Sequence, residues 1–162
     1  MQRKINRTLL LLVWLGAAWI QSPAQSAKTI VIRVMDGHSG ERITPDNIDI
    51  RLDRKKASRI DLVKVNDDGT TEVKIPDGTT SVSVRATYAN SMDYYINCDV
   101  SKQKDTTTET WFPVADVLTQ GLVIPNECAT AKEAAKIKID AKPGEFVLLV
   151  RKRGWKEQWV QQ

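Results

Sequence analysis

Apolar and polar positions alternate along much of this chain. Ile30, Ile32 and Val34 fall on one side of an extended run, with Val31, Arg33 and Met35 on the other. Ile48, Ile50 and Leu52 alternate with Asp49, Arg51 and Asp53. Val73 and Ile75 alternate with Glu72 and Lys74, and Val82, Val84, Ala86 and Tyr88 with Ser81, Ser83, Arg85 and Thr87. A period of two places successive side chains on opposite faces of a strand, so each run buries one face. Tyr94, Ile96, Cys98 and Val100 extend the pattern, with Tyr95, Asn97 and Asp99 on the outer side.

Turn chemistry separates the runs. Asp36-Gly37-His38-Ser39-Gly40 supplies two glycines. Asp68-Gly69 lies between Leu62–Val65 and Thr71–Ile75 and predicts a hairpin, and Pro76-Asp77-Gly78 closes the next strand. Further on, Val114–Gln120 reads as a short helix: Val114, Val117 and Leu118 share a face, Pro113 suits its start and Gly121 its end. Leu122–Pro125 is brief extended chain. Thr130–Lys136 fits either a helical turn or a loop. Ile137 and Ile139, then Asp140–Gly144, then Phe146–Val150 predict a last hairpin with Pro143-Gly144 in a type II turn. Phe146–Val150 is apolar throughout, which predicts a central strand covered on both faces. The fold expected is all-β: an antiparallel immunoglobulin-like or transthyretin-like sandwich with one short helix.

The stretches IVIRVMDGHSGERITPDNIDIRL and VNDDGTTEVKIPDGTTSVSVRATY carry a resemblance. They resemble the carboxypeptidase regulatory-like domain, a transthyretin-like (prealbumin-like) sandwich, through Asp36, Gly40, Ile43, Asp68 and Gly69. The tail AKPGEFVLLVRKRGWKEQW is similar to the ends of small secreted bacterial proteins built on such a sandwich. The resemblance implies a module that accompanies function rather than catalysing a reaction.

The N-terminus sets the expected compartment. Arg3, Lys4 and Arg7 precede the apolar run Thr8–Ile20 and the small residues up to Ala27. Residues 1–26 therefore read as a secretory signal peptide. The run is short for a membrane span. An uncleaved anchor is the rival reading. The mature chain, 27–162, is expected to form a single domain in the periplasm or outside the cell. Its net charge falls from +4 to about +1, because the leader holds three basic residues and no acidic ones. A near-neutral domain has no general attraction for nucleic acid.

Candidate chemistry is sparse. Cys98 and Cys128, in a secreted chain, predict a disulfide that closes a loop of about 30 residues. The lone His38 sits in a turn and predicts neither a zinc site nor a triad. Asn66-Asp67-Asp68-Gly69 lacks the ligand spacing of an EF-hand loop and reads as a turn. We therefore expect no catalytic residues, no metal and no cofactor. An interaction surface is expected at Tyr95, Trp155 and Trp159. The two tryptophans stand four apart among basic residues, which suits core cover, a partner contact or peripheral membrane contact through the tail. The function expected is a non-catalytic module binding another envelope or extracellular protein. A carbohydrate-binding module, taking polysaccharide, is the alternative, and a small secreted hydrolase the weaker one.

Overall fold

The computed structural model describes residues 28–54, 59–86, 88–89, 93–102 and 108–154. The expected leader, Trp155 and Trp159 lie outside these residues. The chain is mostly strand, in two sheets with short helices between. The strands are β1 (Lys28–Asp36), β2 (Asn47–Leu52), β3 (Arg59–Lys64), β4 (Thr70–Ile75), β5 (Ser81–Ala86), β6 (Tyr88–Ala89) and β7 (Asp93–Asn97). A 3-10 turn at Cys98–Val100 follows. Then come β8 (Phe112–Pro113), helix α1 (Val114–Thr119), β9 (Leu122–Val123), helix α2 (Ala131–Ala134) and β10 (Glu145–Lys152). The first sheet runs β4-β1-β10-β7-β6, with β9 beside β10. The second runs β3-β2-β5-β8.

Alternation became burial where the period was cleanest. Ile30, Ile32 and Val34 of the first sheet share one apolar cluster with Ile48, Ile50, Leu52, Val82 and Val84 of the second. Phe146 of β10 meets Phe112 of β8 edge to face, ring centres 5.4 Å apart. The second sheet departs from strict alternation on its other face. Asp49 and Ser83 are buried there, and Arg51 pairs with Asp49 at 3.5 Å and with Glu109. The ion pair places Glu109 over that face.

Five sequence expectations need correction. The first sheet is mixed, not antiparallel: β10 runs parallel to both β1 and β9. The second is the last hairpin, which does not form. Pro143-Gly144 does make the expected turn, closed by Glu145 N–H to Lys142 C=O at 2.8 Å, with Gly144 at φ 84°. The chain before it is not a strand, however. It passes over the outer face of the first sheet: Ile137 lies against Gly40 and the Asp140 carbonyl accepts from Arg33 Nη2 at 2.6 Å. Arg33 also stands 2.8 Å from Glu145, an ion pair too poorly aligned to be a hydrogen bond. Because this strap returns along β1, β10 must leave it in the direction of β1. Val31 N–H to Gly144 C=O, at 2.8 Å, starts the parallel ladder.

Third, the Asp68-Gly69 turn forms, with Gly69 N–H on Asn66 C=O, but the strands it joins part into different sheets. Fourth, the alternating run through Val100 stops at Asn97. Cys98, Asp99 and Val100 are all buried in the 3-10 turn, so Asp99 does not face outward. Fifth, two short α-helices appear among the described residues instead of one. Thr130–Lys136 resolves as the one-turn α2, held by a reciprocal Thr130–Glu133 capping box.

Candidate functional site

A sheet exposes binding chemistry at its edges, where backbone N–H and C=O groups lack a neighbouring strand. The edges here differ sharply in how they end. β8 and β6 are two residues long. Beyond β8, the rest of β5 is covered by one side chain: Asn97 donates Nδ2–H to Val84 C=O at 2.7 Å and accepts from Ala86 N–H at 3.2 Å. That carboxamide stands where a strand would. β3 carries a bulge, since its two residues Asp61 and Leu62 oppose the single Asp49 of β2.

β4 has none of these devices. It is six residues long, its register with β1 is unbroken, and among the described residues no strand pairs with its outer side. The register says which groups face out. Val31 N–H bonds toward β10, so the odd-numbered residues of β1 serve β10 and the even-numbered ones serve β4. Ile30↔Val73 and Ile32↔Thr71 are thus the bonded pairs. The backbone groups of Thr70, Glu72 and Lys74 point away from the sheet. Those of Thr70 are already satisfied, the N–H by Asp68 Oδ1 and the C=O by Asn66 N–H. The N–H and C=O of Glu72 and Lys74 remain, beneath two exposed side chains of opposite charge.

The residues singled out from sequence are not gathered in one place. Cys98 and Cys128 are joined by a disulfide, Cα atoms 4.9 Å apart, which ties the end of β7 to the segment leading into α2. Gly37 sits against this bond. A methyl group there would collide with Cys98 Sγ and stand 3.1 Å from Cys128 Cβ. Tyr95 is half-buried and packs against the core. Trp155 and Trp159 fall outside the described residues. The Asp36–Gly40 turn is organised by Asp36, whose Oδ1 accepts from His38 and Ser39 N–H. Asp68 accepts from both N–H and Oγ1–H of Thr70, and the Thr70 hydroxyl bond is the main cause that holds its carboxyl below the ordinary value.

Two buried acids, Asp49 and Asp99, went unrecognised in the sequence. Burial pushes the Asp99 carboxyl upward; a hydrogen bond with Thr110 opposes this, while the nearby Glu127 carboxylate adds to it. Glu127 N–H also bonds Cys98 C=O at 3.1 Å, so the pair flanks the disulfide. Among the described residues no group of three His, Cys, Asp or Glu side chains converges as a metal site. The signal that could have pointed to β4 was present, since Glu72 and Lys74 alternate with buried residues. Edge position, however, is a property of strand order and not of local pattern. No family model, curated protein or solved structure matches the chain.

Proposed function

We propose that this chain is a secreted, non-catalytic binding module with the sandwich architecture of the carboxypeptidase regulatory-like, transthyretin-like domain, and that it holds another envelope or extracellular protein chain. The single observation that carries this reading is the β4 edge. Every other described edge is short, bulged or capped, whereas β4 leaves the backbone groups of Glu72 and Lys74 facing out. Strand addition at such an edge draws its affinity from main-chain hydrogen bonds. The leader at 1–26 would deliver the module across the inner membrane, and the disulfide suits an oxidising compartment.

The carbohydrate alternative calls for a platform of exposed rings. Among the described residues, Tyr95, Trp111 and Phe112 are half-buried and Phe146 is buried, so these four rings form no such platform. The test is co-purification of the tagged protein from gently crosslinked envelope, with Lys74→Pro as the comparison. Proline deletes one outward N–H and leaves the β1 ladder intact. A stoichiometric protein recovered by the natural chain and lost with Lys74→Pro is the expected outcome. Equal recovery by both, or retention on polysaccharide instead, would sink the edge reading.

A further inference from the structure

We infer that the chain seated on β4 is β4 of a second copy, paired antiparallel about Val73 in a two-fold dimer; this rests on the edge reading above and names its partner. An antiparallel pair centred on Val73 sets Glu72 opposite Lys74 of the second copy, and Lys74 opposite its Glu72. These are the residues whose N–H and C=O face outward. Residues that exchange both bonds must stand directly opposite. Each copy contributes both groups of Glu72 and of Lys74, so four hydrogen bonds close with none left over.

The side chains agree with the backbone. Glu72 and Lys74 are exposed on one face, and this register places opposite charges directly across the new pair, twice. An edge bearing only lysines would repel a copy of itself, which is how edges are usually kept apart. An acid and a base two residues apart invert that rule for self-pairing in this register alone. Shifting the register by two residues would leave Glu72 facing Glu72 or Lys74 facing Lys74.

The ends of the ladder agree as well. The next outward pair would be Thr70 with Pro76 of the second copy. Pro76 has no N–H, and both Thr70 groups are already bonded within the chain. The pairing therefore stops where neither side has anything to offer. Because each copy presents the same patch, the contact closes on itself and does not propagate to fibres.

Sedimentation of the exported protein over a concentration series tests this. The natural chain is expected to move from monomer to dimer. Glu72→Lys alone and Lys74→Glu alone should each weaken association by roughly tenfold or more, since two attractive pairs become repulsive. The double swap Glu72→Lys with Lys74→Glu restores opposite charges and should restore the dimer. Mixing the two single variants should give a heterodimer. Thermal melts of the variants, expected to match that of the natural chain, separate lost association from lost folding. A natural chain that stays monomeric, or a dimer indifferent to the single reversals, overturns the inference. Loss of an unrelated protein partner with Lys74→Pro would still uphold the edge reading, so the two fail separately.

Discussion

At the scale of single residues, side-chain oxygens do much of the work of shaping backbone. Asp36 and Asp68 each use one carboxylate oxygen to gather the donors of their own turn, while Asp53 reaches across the chain to Thr80 N–H, Thr80 Oγ1–H and Ser81 N–H. Asn97 does the same for a strand edge. Asn97→Ala would leave Val84 C=O and Ala86 N–H without their partner, and we expect a loss of about 1–3 kcal/mol, read as a lower urea midpoint with an unchanged slope. Asp99 has the opposite character. Its folded-state pKa is raised, so the native protein binds that proton more tightly than the unfolded chain does. The contribution is favourable below the ordinary value of 3.8 and is lost as pH rises through the folded value. Asp99→Asn keeps a carbonyl acceptor and removes the charge. We expect its Tm to exceed that of the natural chain by a few degrees at about pH 7, with the gap narrowing toward about pH 4. A lower Tm at neutral pH would mean that the carboxylate's bonds outweigh its desolvation. Asp68 contributes with the reverse sign, because its pKa is lowered: that stability holds above 3.8 and is lost as pH falls through the folded value.

At the scale of elements, the strap from Ile124 to Gly144 is the part that local pattern described least well. Its residues Ile137 and Ile139 alternate as a strand would. Yet β10 already has β1 on one side and shares its other side between β9 and β7. With no ladder position left, the segment lies across the outer face of the first sheet and supplies side chains there; Ile139 and Ala141 pack against the core. The disulfide anchors its beginning and the Pro143-Gly144 turn its end. Replacing both cysteines by alanine should cost about 3–4 kcal/mol in the chain-entropy account. Gly37→Ala should also destabilise, by roughly 1–3 kcal/mol, because the added methyl collides with the covalently fixed Cys98 sulfur. Chemical denaturation of the two variants checks both figures. A neutral Gly37→Ala would show that β1 can shift away from the bond.

At the scale of the whole molecule, the arrangement of edges decides what the protein can hold. Two layers joined through one core leave four margins. Short strands, a bulge and the Asn97 carboxamide blunt the others, and β4 is left open. Restored self-association in the Glu72/Lys74 double swap is the prediction that belongs to this scale. It cannot be met by either residue alone. The alternating runs and their turns were legible in the chain itself, because a strand's period of two and the backbone demands of Gly and Pro are local. So was the α1 helix, from its apolar face and the glycine at its end. Strand order was not, because hydrogen-bond partners lie tens of residues apart and the same alternation serves any neighbour. For that reason the parallel β1–β10 pair, the splitting of β3 and β4 into separate sheets and the burial of Asp99 came only from the tertiary structure. The sequence by itself determined which side of each strand is apolar and where the chain turns. Only the packing of the layers decided which backbone groups were left without a partner.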